Sequence, residues 1–169
     1  MTGQQLLLDV NDENRLASEL ATLGYPGLSH LKPRGHQANP AKLLFSALSK
    51  DNLDSRLVEA LPWIVLEFPD LDWQWLANAA QASDLQNRLG FVTSLARKLA
   101  EQRGENEKAA LLTLHEEALE RSRLLCEDTL CHDSLTQAER HWLRKNRPQE
   151  AKHWRLLTDL TPEQLDHAA

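Results

Sequence analysis

Several residue types are scarce in this chain, and each scarcity argues against a class of protein. Two cysteines in 169 residues are too few for a disulfide framework, which agrees with a reducing compartment. Six glycines are few for phosphate-cradling loops or strained catalytic turns, which disfavours nucleotide enzymes. No apolar run approaches the roughly 20 residues of a membrane helix, and no basic n-region precedes the first leucines. We therefore expect a cytoplasmic protein without membrane contact.

Familiar catalytic motifs are also missing. The sequence contains no Gly-x-Ser-x-Gly elbow, no His-Glu-x-x-His pair and no glycine-rich phosphate loop. This pattern favours a non-enzymatic protein that needs no cofactor.

The composition that remains is that of an ordinary globular protein. Hydrophobic residues make up 41% of the chain and charged residues 26%, which argues against global disorder. A length of 169 residues suits one compact domain, so we assign residues 1–169 to a single domain.

Charge is distributed unevenly along the chain. The formal net charge is −6, yet the segment from Thr136 to Leu156 carries six basic residues against two acidic ones. This asymmetry predicts a basic patch on a C-terminal helical pair, residues 136–157. The patch consists of Arg140, Arg144, Lys145, Arg147, Lys152 and Arg155.

The hydrophobic periodicity predicts an all-α fold of eight or nine short to medium helices. No stretch alternates apolar and polar residues as a strand would, and no Asn-Gly or Asp-Gly hairpin turn occurs. The first helix is expected to begin at Asn11–Glu13 and to end at Gly24. A flexible loop, 25–39, follows, and then Asn39 and Pro40 open the next helix.

Proline and capping residues divide the middle of the chain. One helix is expected to begin at Asp51 or Asn52 and to stop before Pro62, where a short buried helix begins. Asp70 or Asp72 should cap the helix that carries Trp73.

The next boundaries come from further capping patterns. Ser83 with Gln86 resembles a capping box for a long helix that Gly104 closes, and Asn106 opens its successor. Thr136 with Glu139 is another capping box.

Proline marks the last two helices. The second basic helix is expected to span 148–157, and a final helix starts at Thr161–Pro162.

Tryptophan is over-represented among few aromatic residues, with five Trp against three Phe and one Tyr. Trp73 and Trp75 lie about 200° apart on a helix, so both cannot face one core. The exposed one, next to Asp70 and Asp72, is a candidate anchor for a protein partner. Alternatively, loop 25–39 covers both.

Two further hypotheses concern the C-terminal half. His115, Cys126, Cys131 and His132 fall close together in sequence, but only Cys126-x4-Cys131 approaches the spacing of zinc ligands. These side chains are the candidates if the protein is a metal-dependent enzyme.

The basic patch supplies the other hypothesis. Its residues recur every three to four positions, so each helix can present a cationic stripe while Trp142, Leu143 and Trp154 pack inward. Such a stripe suits DNA phosphates or an acidic protein surface.

Several stretches resemble a group of small helical bacterial regulators and antitoxin-like proteins from toxin–antitoxin type loci. The resemblance lies in Val58–Trp63, Phe68–Leu76, Asp84–Phe91, Arg140–Arg144 and His153–Leu160. It implies a protein that binds and neutralises a toxin and that can also repress its own operon. The group supplies no active-site motif to map onto this chain.

Taken together, these patterns favour a binding protein over an enzyme. Our first hypothesis is an antitoxin-like inhibitor whose partner, a toxin or effector enzyme, docks near Trp73 and Trp75 or on the basic helices. The alternatives are a DNA-binding repressor that uses the basic patch and a metal-dependent enzyme.

Overall fold

The computed structural model describes residues 3–31 and 38–166, and over those residues it has the predicted all-α fold, with one two-stranded sheet in addition. The part of loop 25–39 that spans 32–37 lies outside the described residues. No helix in the described ranges is long and apolar enough to cross a membrane. The helices are α1 (Gly3–Leu23), α2 (Pro40–Leu48), α3 (Ser55–Glu67), α4 (Trp73–Ala82), α5 (Gln86–Gln102), α6 (Asn106–Glu120), α7 (Gln137–Asn146), α8 (Gln149–His153) and α9 (Pro162–Asp166).

Helix α5 is the centre of the fold. Its residues from Gln86 to Ala96 are all buried, so every face of its first three turns contacts protein. The antiparallel neighbour α6 packs along it, and α3, α4, α8 and α9 contact its other sides.

A close approach between α5 and the C-terminal segment explains a glycine in the middle of this helix. A Cβ atom at Gly90 would lie 2.4 Å from the ring of Trp154. Trp154 is 1% exposed, so its indole is held against the α5 backbone with no room to shift. Glycine lowers helix propensity, and here the contact with Trp154 offsets that cost.

The N-terminal helix begins earlier than the capping residues suggest. Helix α1 starts at Gly3 and runs through Asn11–Glu13, so the predicted start is wrong. Good helix formers such as Gln4 and Leu6 extend the helix upstream. Its end is as predicted, because Gly24 adopts a φ of +95° that L-residues rarely reach.

Pro62 does not interrupt α3, so the predicted break is wrong. The helix begins after Asp54, whose side chain accepts a hydrogen bond from the Arg56 amide. It continues through Pro62 to Glu67. The lost amide hydrogen bond is outweighed because residues on both sides, including Leu61 and Ile64, are fully buried.

Capping chemistry predicted most of the other helix starts. Asn39 accepts a hydrogen bond from the Lys42 amide, and Asp72, rather than Asp70, caps α4. The Thr136–Glu139 capping box is present at α7. The capping box predicted at Ser83 is wrong, because Ser83 ends α4 and the chain turns through Asp84, at φ +56°, before α5 begins.

The C-terminal segment contains the only strands among the described residues, which the sequence pattern did not predict. Strand β1 (Asp128–Thr129) pairs in parallel with β2 (Leu156–Leu157). The second basic helix is therefore shorter than the predicted span 148–157: α8 ends at His153, and Arg155 adopts a φ of +59° that redirects the chain into β2.

The contact between Gly90 and Trp154 predicts that a side chain at position 90 destabilises the protein. Ordinarily, replacing a helical glycine with alanine stabilises a helix by about 1 kcal/mol. Gly90→Ala should instead lower the free energy of unfolding by at least about 1–3 kcal/mol, because the added methyl group overlaps the indole. Urea denaturation measures the change. Gly3→Ala is the matched control and should not destabilise the protein, because a Cβ there would meet no described residue beyond its neighbours in the helix within 4 Å. Equal effects of the two substitutions would contradict the packing.

Candidate functional site

A groove of about 530 Å³ lies between α3, the segment after β1, α7, β2 and α9. Its volume falls within the range of roughly 300–1,000 Å³ that is typical of ligand sites. The apolar residues that line it come from all of these elements except α9 and include Val58, Leu130, Leu135, Leu143, Leu157 and Leu160. Helix α9 contributes Gln164. Segments far apart in sequence therefore build one recess.

Trp142 stands at this groove with 54% of its surface exposed. The prediction that Trp142 packs inward is wrong, whereas Leu143 and Trp154 are buried as predicted. The Thr136–Glu139 capping box fixes where α7 begins, and hence which side chains face the core. Leu143 occupies the core-facing position, and its neighbour Trp142, about 100° around the helix, is left at the surface.

The groove is acidic. Glu59, Glu139 and Asp159 line it, and among residues 3–31 and 38–166 no Lys or Arg does. The Glu139 carboxylate accepts a hydrogen bond from the Thr136 amide at 2.6 Å, and its hydrogen bonds with Thr136 lower the pKa of Glu139. Glu59 and Asp159 form no ion pair with any residue that the structure describes. The carboxylates of Glu59 and Asp159 are therefore available to a ligand.

Three arginines of the predicted basic patch are held by the protein itself. Arg140 donates to backbone carbonyls of the preceding loop, at 2.8 and 3.2 Å. Arg144 forms an ion pair with Glu127 at 2.8 Å. Arg147, whose side chain is only 10% exposed, donates to the Leu156 carbonyl at 3.2 Å and lies 3.7 Å from Glu127. The contacts of Arg140 and Arg144 hold α7 against the segment that precedes it. The contact of Arg147 joins the end of α7 to β2.

The other three basic residues of the patch point to solvent. Lys145, Lys152 and Arg155 are exposed and form no ion pair within residues 3–31 and 38–166. The surface charge that the patch presents is therefore smaller than its six residues suggest.

The two tryptophans of α4 differ in exposure, as their helical spacing requires. Trp73 donates its indole N–H to the Pro69 carbonyl at 2.8 Å and stacks on His115, with ring centroids 4.1 Å apart. Burial lowers the pKa of His115, which favours a neutral ring in this stack. Trp75 is 37% exposed and meets Phe45 edge to face.

The two aspartates beside these tryptophans have different roles. Asp72 caps α4 by accepting from the Trp75 amide at 3.1 Å, while Asp70 is exposed. Much of the predicted partner site is thus used in holding α4 in place.

The cysteine and histidine candidates do not form a metal cluster. Within the described residues, no group of three or more His, Cys, Asp or Glu side chains is placed to hold a metal ion. Cys126 and His132 are exposed, whereas Cys131 is buried with its sulfur 3.5 Å from the Ala47 carbonyl oxygen. Burial raises the pKa of Cys131 to about 11, so its thiol is protonated near pH 7.

A buried arginine fixes the segment that forms one wall of the groove. The Arg88 guanidinium, 6% exposed, donates to both carboxylate oxygens of Asp128, at 2.7 and 3.0 Å. It also donates to the Leu48 and Lys50 carbonyls at 2.8 and 2.9 Å. Burial lowers the pKa of Arg88, but the hydrogen bond to Asp128 and the electrostatic effects of Cys131, Asp128 and Asp133 together raise it more, so the side chain stays charged.

Two neighbouring polar side chains of α5 bind the chain just before β1 and the residue Trp154. The Asn87 amide exchanges two hydrogen bonds with the Leu124 backbone and donates to the Trp154 carbonyl. Gln86 donates to the Ser122 carbonyl. Sequence reasoning missed these roles; the available signal was a run of long polar residues inside an otherwise apolar helix.

A second apolar surface lies on the N-terminal turns of α1. Leu6, Leu7, Leu8 and Val10 are each more than half exposed. Residues 3–11 extend beyond the part of α1 that packs on the core, and no other described residue covers them.

Comparison with known proteins gives no further identification. No family model, no curated protein and no solved structure matches the chain. The resemblance to antitoxin-like regulators therefore remains an expectation, and the function is argued from the groove.

The Arg88 contacts predict a large loss of stability on mutation. Arg88→Met removes the charge while keeping the apolar stem. It leaves the Asp128 carboxylate without its charged partner and the Leu48 and Lys50 carbonyls without the guanidinium donor. We expect the free energy of unfolding to fall by about 3 kcal/mol or more. Arg56→Met is the control, because the Arg56 side chain is 80% exposed and pairs only at the surface with Asp54. Similar midpoints in urea for the two variants would contradict the account.

Proposed function

We propose that this protein is a non-enzymatic binding module, of the antitoxin-like inhibitor kind, that holds its protein partner in the groove beside Trp142. The observation that carries the proposal is the groove itself. Its lining is mostly apolar but includes three acidic side chains, and the half-exposed Trp142 lies at it. Large exposed aromatic residues at such positions are common anchors of protein interfaces.

The surface area that Trp142 exposes supports an anchoring role for this side chain. A tryptophan side chain buries roughly 150–250 Å² when fully covered. About half of Trp142 is accessible, so a partner that covered it would remove on the order of 100 Å² from water. At about 25 cal/mol per Å², this burial contributes about 2–3 kcal/mol, which is the size of an interface hot spot.

The groove is a better candidate than the region around Trp73 and Trp75. Trp73 is engaged by Pro69 and His115, and Asp72 serves as a helix cap. Trp75 alone offers exposed aromatic surface there, and it is less exposed than Trp142. We therefore move the proposed partner site from α4 to the Trp142 groove.

A DNA-binding repressor is the second candidate, and one observation favours it. Lys145, Lys152 and Arg155 are exposed and unpaired within the described part of the chain, so they can reach phosphates. It ranks lower because Arg140, Arg144 and Arg147 are engaged by the protein's own carbonyls and by Glu127.

Affinity capture with paired variants tests this function. The tagged protein, Trp142→Ala and Trp75→Ala are each passed through nuclease-treated lysate of the host cell, and the retained proteins are quantified. We expect the wild-type protein to retain one stoichiometric partner. The retained amount of this partner should fall at least about 10-fold with Trp142→Ala and stay unchanged with Trp75→Ala, because only Trp142 lies in the groove. Both tryptophans are surface positions, and circular dichroism checks that each variant keeps its helices.

Three results would contradict the proposal. A partner lost only with Trp75→Ala would return the site to α4. Retention of the partner by both variants would exclude the groove. Capture of nucleic acid alone from untreated lysate, weakened by Lys145→Ala and Arg155→Ala, would favour the repressor.

A further inference from the structure

We infer that the occupant of the Trp142 groove is a cationic amphipathic peptide segment that protrudes from the partner protein. This inference rests on the proposed function and adds the chemistry of the partner.

The charge at the groove selects for a basic partner. Three carboxylates, on Glu59, Glu139 and Asp159, line the recess, and its lining contains no Lys or Arg from the part of the chain that the structure describes. The remaining titratable lining residues are Cys131, which is buried, and His132. An acidic segment would meet like charges here, whereas lysines or arginines would gain ion pairs and release no existing ones.

The placement of apolar surface favours a segment rather than a flat domain face. Trp142 stands exposed at the groove, and Val58 and Leu135 are half-buried. Leu130 and Leu157 lie behind them and are almost fully buried. A recess of about 530 Å³ accepts a few projecting side chains. A helical or extended segment with apolar side chains flanked by basic residues would fill the apolar recess and also pair with the carboxylates.

Cationic side chains border this acidic recess along α7. Glu139 and Trp142 line the groove from one side of the helix. Arg140 and Arg144, each one or two positions away, turn to the preceding loop and to Glu127. The exposed Lys145 lies beyond the groove and is not among its lining residues. A cationic segment is therefore attracted to the recess and repelled by the neighbouring surface, which fixes where it docks.

Selection from a random 16-residue peptide library displayed on phage tests the inference. The wild-type protein is the target, and Trp142→Ala is used for counter-selection. We expect the enriched peptides to combine two or more Lys or Arg with bulky apolar residues. Enrichment of neutral or acidic peptides that need Trp142 would overturn the cationic assignment and leave the proposed function standing. Absence of any Trp142-dependent peptide would overturn both.

Charge variants then test whether the carboxylates act directly. The double variant Glu59→Gln/Asp159→Asn should bind the enriched peptide at least about five-fold more weakly than the wild-type protein at low salt. This difference in affinity should shrink at high salt. Glu139 is left intact because it caps α7. Glu107→Gln/Glu117→Gln removes the same charge from exposed positions of α6 and should change affinity less than about two-fold. Equal losses in the two double variants would show a general charge effect and overturn the inference.

Discussion

The Arg88 guanidinium is the contact on which the C-terminal half of this molecule depends. It joins the end of α2, through two backbone carbonyls, to Asp128 at the start of β1. A charge at this depth is stable only when its donors are satisfied, and here carbonyls and a carboxylate satisfy them. Because Arg88 lies in the first turns of α5, it ties an irregular segment to the most buried helix in the described structure.

This tie places the walls of the groove. The segment after β1 carries Leu130 and Leu135 to one side of the recess, and the pairing of β1 with β2 brings Leu157 to the same place. The Trp154 indole, packed against Gly90, fixes the start of β2 against α5. The capping box of α7 then leaves Trp142 at the surface. The binding surface thus depends on polar contacts inside the molecule, not on the large apolar core alone.

Sequence reasoning predicted the features that local chemistry decides. The all-α class and the caps at Asn39 and Thr136 follow from side chains that act within three or four residues. The features it missed depend on distant partners. Pro62 stays helical because its surroundings are buried, and the strands pair Asp128–Thr129 with Leu156–Leu157, directly after the turn at Arg155. The groove could not be predicted from spacing, because its lining comes from five separate elements, and helix periodicity alone put Trp142 in the core.

The most direct test of the central claim is to map the contact surface on the protein with its captured partner or an enriched peptide, by backbone amide chemical shifts in nuclear magnetic resonance. The account predicts that the largest changes fall in residues 130–143 and 157–164, with the Trp142 indole among them. Changes confined to the exposed leucines of 6–8, to α4 around Trp75, or to the surface that carries Lys145, Lys152 and Arg155 would contradict it.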